Sequence, residues 1–259
     1  DLALVRAHDD EPVLRHLAVR ALAEVGGDDA LVALRAALAD GDPRVRQTAA
    51  EGLGVDRDAS AGPALIAGAK QEPWPLVRRA EVEALGRLCG AGAGDLLARA
   101  VARDVTDVRR AALVGLAHCK DPRAPTLLLR VLGRRNEAST LRELAASLLA
   151  DLDARALAPG MAAALARQVN ESEEDLSVEG VAEATLRALG HLGGPDATTA
   201  AVTLARDARH PFQTTAIEVL GTLCDPGAGA STLRALAAGP QGAVATAAES
   251  ATKRCAARP

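Results

Sequence analysis

Pro43-Arg44-Val45-Arg46-Gln47-Thr48-Ala49-Ala50-Glu51-Gly52-Leu53-Gly54 is the stretch whose reading decides the fold, because versions of it return eight times along the chain. With the apolar residue two after the proline as anchor, the series runs Leu14, Val45, Val77, Val108, Leu141, Val181, Phe212 and Ala243. Successive spacings are 31, 32, 31, 33, 40, 31 and 31 residues. Eight residues after each anchor stands a leucine, from Leu22 and Leu53 through Leu220, until Ala251 takes the slot. Small or apolar residues recur at offsets of four and five, as in Ala49-Ala50 and Ala145-Ala146. Offsets of 0, 4, 5 and 8 mark one face of an α-helix, here called helix A.

Turns rich in Gly, Asp or Pro follow each helix A, among them Gly26-Gly27-Asp28-Asp29, Asp121-Pro122 and Asp225-Pro226-Gly227. Glycine ends helices, and aspartate or an early proline begins them. A second apolar segment comes next, as at Ala30–Ala39, Thr126–Leu132 and Ser231–Ala238, and reads as helix B. Composition agrees: one Phe, one Trp and no Tyr leave Ala, Leu and Val to build the core. Such a chain favours many short, closely packed helices over a sheet, which draws on β-branched and aromatic residues.

Two helices per 31 or so residues, a Pro-x-Val-Arg entry and an Ala-Ala-x-x-Leu-Gly core resemble the HEAT repeat, most closely the short bacterial type grouped with phycobilisome lyases. The resemblance covers essentially the whole chain. It weakens in the last three units, where Ala182, Gln213 and Val244 replace arginine. It implies an all-α, right-handed α-α superhelix over residues 1–259, a single HEAT-repeat solenoid of about eight units near 80 Å long if each unit advances about 10 Å. Leu2–Ala7 align with the second half of a helix B, so the first unit reads as incomplete and the chain as part of a longer array. The last helix A ends near Arg254 without a helix B to cover it, so that end is expected to fray or dock.

Arg15, Arg46, Arg78, Arg109 and Arg142 share the slot just after the anchor. In HEAT-like repeats this slot implies an arginine–aspartate ladder, with Asp10, Asp42, Glu72 and Asp107 near enough to serve; the alternative is a ligand-facing stripe. A second row, Arg35, Arg99, Arg130 and Arg234, falls on helix B, which in HEAT arrays lines the concave side. It suits an acidic protein surface, or simply a solvated face. The 40-residue spacing holds an acidic insertion around 168–180 containing Glu171, Glu173, Glu174 and Asp175. It reads as a mobile loop or a helix extension, and as a place for partner contacts, since solenoid insertions collect on one face. Trp74, between Pro73 and Pro75, is a rigid turn residue that either packs on its neighbour or anchors a partner. Phe212, in an anchor slot, reads as core.

Catalytic signatures are missing from the sequence. Cys89, Cys119, Cys224 and Cys255 fill one slot at the ends of helix A in different units. Neighbouring helices about 9–10 Å apart would hold them beyond the roughly 7 Å limit between Cα atoms of a disulfide. They read as small buried thiols of a reducing, cytoplasmic compartment, and no Cys-x-x-Cys or spaced His pair suggests a metal. Histidines 8, 16, 118, 191 and 210 form no triad pattern, and no Gly-x-Ser-x-Gly or phosphate loop is present. Glu81 and Glu83, two apart on a helix, point to different faces and make a poor catalytic pair.

No catalytic residue, cofactor or metal ligand is therefore expected, and the chain reads as a scaffold for a protein partner rather than an enzyme. A net charge of −4, from 30 basic and 34 acidic residues, argues against nucleic acid. No apolar run approaches the roughly 18–20 residues needed to cross a bilayer. Two other readings remain: a phycobilin-lyase-like or chaperone role on a chromophore-bearing protein, implied by the resemblance alone, and a regulatory binding domain of a larger multidomain enzyme or sensor, kept open by the incomplete first unit.

Overall fold

The structure, a computed structural model, describes residues 2–208 and 210–257. Among them there is no strand, and no helix is long and apolar enough to cross a membrane. The chain divides into two compact units, Asp1–Leu127 and Leu128–Pro259. The first holds α1 (Leu2–Arg6), α2 (Pro12–Val25), α3 (Asp28–Ala37), α4 (Pro43–Val55), α5 (Gly62–Gln71), α6 (Pro75–Leu88), α7 (Ala93–Arg103) and α8 (Thr106–His118). Helix α9 (Ala124–Leu132) runs through the division. The second holds α10 (Ser139–Asp151), α11 (Ala158–Ser172), α12 (Glu179–Leu192), α13 (Pro195–Arg206), α14 (Gln213–Leu223), α15 (Ala228–Ala237) and α16 (Ala243–Ala256).

Even-numbered helices from α2 to α8 are the helix A of the first unit; α10, α12, α14 and α16 are those of the second. Within each unit successive helix-A elements pack on one another, and α3, α5, α7, α11, α13 and α15 each pack on the helix A that follows. Prolines at the first helical turn set φ where the backbone N–H has no partner to lose, as at Pro12, Pro43, Pro75 and Pro195. The anchors from Val45 to Phe212 and the leucines eight residues later are buried and form one aliphatic seam within each unit. Fully burying a Leu or Val contributes about 1.5–3 kcal/mol. With so few rings, stability is a sum of many such terms, and close backbone approach sets their size.

That approach is tightest where helix A ends. A Cβ added to Gly86 on α6 would lie 2.6 Å from the Cα of Gly115 on α8. One added to Gly221 on α14 would lie 2.9 Å from the Cα of Ala251 on α16. Helices touching at their C-terminal ends bring the cysteines into range, and the expectation of free thiols is corrected. Cys89 is bonded to Cys119 and Cys224 to Cys255, with Cα atoms 5.3 and 5.2 Å apart. An average helix spacing was the wrong measure at this slot. Cys89 and Cys224 also adopt the left-handed conformation at the helix cap, with φ of 52° and 49°.

Each unit thus carries one disulfide closing about thirty residues, a loop length for which chain entropy gives about 3.5 kcal/mol. We expect the unreduced protein to offer no thiol to an alkylating reagent. Reduction should lower the thermal midpoint by several degrees, measured by circular dichroism; an unchanged midpoint would mean the bonds constrain nothing.

Candidate functional site

The two arginine rows occupy different environments. On helix A, Arg46 donates from Nε and Nη2 to the two carboxylate oxygens of Glu72, both at 2.8 Å, and from Nη1 to the carbonyls of Asp40 and Gly41. Arg15 binds Asp40 and Arg78 binds Asp104 by the same forked geometry. Each guanidinium also takes a carbonyl from the preceding turn: Asp9 and Asp10 for Arg15, Glu72 for Arg78. One side chain therefore ties the turn before its repeat to the turn after it. Burial alone would raise the Glu72 and Asp104 carboxyls, but the bonds from Arg46 and Arg78 outweigh it and hold both below the usual carboxylate range.

These partners differ from those expected, apart from Glu72. The acid lies 25 or 26 residues beyond the arginine, past the end of helix B in the same repeat. Asp10 contributes only its carbonyl, and Asp42 caps α4 through the Arg44 N–H and binds the Arg44 guanidinium. Asp107 sits exposed in the first turn of α8. Arg109 donates to the Val101 carbonyl at 2.8 Å, and Gln213 reproduces that bond to Ala205 at 3.0 Å.

In the second unit the insertion supplies the acid. It is not a loop: it extends α11 to Ser172 and adds a short 3-10 turn, Leu176–Val178. Val169 and Ser172 are buried, and Glu171 receives the Arg142 guanidinium at 2.9 Å. Arg142 is 2% exposed and also donates to the Leu132 carbonyl. Of the insertion residues singled out, Glu174 pairs with Arg135 on the surface, Asp175 caps the 3-10 turn, and Glu173 is exposed.

The helix-B row is looser. Arg35 pairs with Asp58 and Ser60. Arg234 is exposed and reaches only the Ala230 carbonyl of its own helix, at 3.3 Å. Arg99 and Arg130 are exposed, and among the described residues no acid within hydrogen-bonding reach holds either one. Trp74, 55% exposed, stands at the N-terminus of α6 with Leu76 at 57% beside it. Its backbone N–H is fixed by Glu72. Phe212 is buried, its ring stacked on His210.

A residue that sequence reasoning dismissed proves the most unusual. Glu81, on α6, is 1% exposed, and its Oε2 has no hydrogen-bond partner. Burial, and then the Glu72 charge, push its carboxyl up to about 8, against the pull of Arg46 and Arg78. It lies four residues after its anchor, where other repeats carry Ala18, Ala49, Ala112, Ala145, Thr185 and Ala216. That departure was the available signal. A groove of about 540 Å³ between α3 and α5 is lined by Arg35, Arg46, Gly68, Glu72 and Glu81. Among the described residues, no three His, Cys, Asp or Glu side chains converge to hold a metal ion.

Residues 1–86 match the family model for HEAT repeats, and paired helices continue in the same register beyond them. Over residues 1–86 the chain is thus similar to HEAT-repeat proteins, and the rest shares the all-α, paired-helix architecture. The Escherichia coli protein YibA shares the fold, with a TM-score of 0.60 at 18% identity over 98% of this chain and 92% of that one. The CpcE–CpcF complex of phycocyanin lyase from Nostoc sp. PCC7120 matches at 0.48, 18% identity and 98% and 93% coverage. Human deoxyhypusine hydroxylase matches at 0.43, 19% identity and 100% and 96% coverage. No curated protein matches in sequence. The expectation that this chain is not an enzyme is corrected: a helical-repeat fold by itself neither establishes nor excludes catalytic activity.

Two outcomes test these environments. Arg142→Ala strands the Glu171 carboxylate against a buried site and should cost about 3–5 kcal/mol in urea unfolding, whereas Arg99→Ala should cost almost nothing. For Glu81, the folded chain keeps a proton that the unfolded chain releases near its ordinary value of 4.5. Stability should therefore fall as pH rises from 5 to 8, by at most about 1.4 kcal/mol per unit. Glu81→Gln should remove that slope; an identical slope in the variant would show that Glu81 does not carry it.

Proposed function

We propose that this chain is a scaffold that binds a protein partner through its helix-B face and the turns between repeats. The observation that carries this reading is the contrast between the two arginine rows. Helix-A guanidiniums are tied into successive turns, whereas Arg99 and Arg130 point into solvent without a carboxylate to hold them. Exposed, unpaired cations suit an acidic protein surface, steering its approach and fixing its register. Trp74 adds a rigid aromatic anchor with little rotamer entropy to lose. Residues Glu173 and Glu174 offer an acidic contact in the second unit, while Glu171 serves the fold.

Two disulfides support an oxidising working environment in place of the reducing, cytoplasmic one inferred from the cysteines as thiols.

Arg99, Arg130 and Arg234 reversed together to glutamate should leave the melting curve within a degree or two of wild type. Capture of an acidic partner from the source organism's extract, identified by mass spectrometry with wild-type bait, should fall at least tenfold. Undiminished capture by the reversed bait would remove the helix-B face from the interface.

A further inference from the structure

The groove between α3 and α5 has an unusual electrostatic inventory. Arg46 donates from Nε and Nη2 to Glu72 and from Nη1 to the Asp40 and Gly41 carbonyls. Arg35 is held by Asp58 and Ser60. Both Asp40 oxygens accept from Arg15, and both Glu72 oxygens accept from Arg46. Among the described residues lining the groove, Glu81 is left as the carboxyl with a buried oxygen, Oε2, that has no hydrogen-bond partner. Burying such a group costs several kcal/mol unless it is neutralised or paired. The cost is specific to this repeat, because the slot carries alanine in most of the others.

Room for the carboxyl comes from the opposite helix. Gly68 on α5 faces Glu81, and a Cβ there would lie 2.2 Å from Oε1. An acid in the seam and a glycine across from it form a matched pair of departures from the repeat. Departures of this kind, made against local stability, mark functional positions. The groove walls near them are Leu38, Ala64, Ala67 and Gly68, which suit an alkyl stem.

We propose that this groove takes a lysine side chain of the bound partner, its alkyl stem along α5 and its ammonium on the Glu81 carboxylate. An anion is disfavoured because it would meet the Asp40, Glu72 and Glu81 carboxyls that line the groove. A slender stem ending in a compact cation fits better than the broad, planar guanidinium. This deepens the scaffold reading and rests on it for the identity of the partner, but the site itself can be probed without one.

Binding an ammonium exchanges it for the proton that Glu81 holds, so affinity should rise with pH. The groups facing Glu81 do not titrate in that range: Glu72, Asp40 and Asp104 are held low by their arginines, and the same pairs hold Arg46 and Arg78 higher still. The experiment is a titration of the isotope-labelled full chain with N-acetyl-lysine methylamide, following the backbone amides of Gly68 and Glu81 by NMR. Saturable shifts are expected at both, with affinity rising severalfold to about tenfold per unit between pH 6 and 8. The norleucine analogue, equal in stem but uncharged, should not saturate.

Glu81→Gln and Glu81→Ala should each weaken binding at least tenfold while remaining folded, the second returning the slot to the residue used elsewhere. Equal affinity in either variant, saturation by norleucine, or no shift at Gly68 and Glu81 would overturn the proposal. Such a failure, with partner capture through Arg99 and Arg130 intact, would leave the scaffold reading standing. Loss of capture sensitivity with lysine binding intact would do the reverse.

Discussion

Close backbone contact between successive helix-A elements is the constraint on which the rest of this molecule depends. With its one Phe buried and its one Trp exposed, the core cannot span wide gaps, so its helices must approach until small residues meet. Gly86 against Gly115 and Gly221 against Ala251 are the points of contact. The same proximity that maximises dispersion between alanines brings the cap cysteines together, and each unit acquires a covalent staple at the same place in its repeat. Small-residue packing and disulfide formation are thus one structural fact.

Such thin packing leaves the turns near solvent and in need of their own fastening. The helix-A arginines provide it by joining carbonyls on one side to a carboxylate on the other. The logic persists where the residues change. When the second unit loses the short turn, α11 lengthens until Glu171 reaches Arg142; where arginine becomes Gln213, the amide keeps only the carbonyl bond. A buried guanidinium without its acid would be costly, and Arg142, the most buried of the row, is the one served by the insertion.

Helices, their pairing and the buried slots were legible because period and offset are properties of the chain itself. Partner choice along the ladder was not. Asp42 and Asp107 are adjacent in sequence to their arginines, but the acid that receives each fork comes from the far end of helix B, set by stacking and not by spacing. The cysteines were misjudged for a related reason: a mean interhelical distance hides the convergence of helix ends, although Gly86 and Gly221 were visible three residues before Cys89 and Cys224. Glu81 was set aside as half of a poor catalytic pair. Comparing it with Glu83 obscured the better comparison, with the alanines of its own slot.

That comparison carries the functional argument. In a repeat array every slot has an internal reference, because the other units show what stacking alone requires. Arg46 and Arg78 conform to their row and serve the stack. Arg99 and Arg130 are dispensable to it, since their slot also accepts Ala67, Ala163 and Thr203. Glu81 goes further and works against it, an acid in an alanine seam kept neutral by burial and accommodated by Gly68. A residue that the fold neither needs nor welcomes persists for something outside the fold, and a buried carboxyl with an unpartnered oxygen, beside a groove lined by further carboxylates, has one simple complement, a cation brought by another molecule.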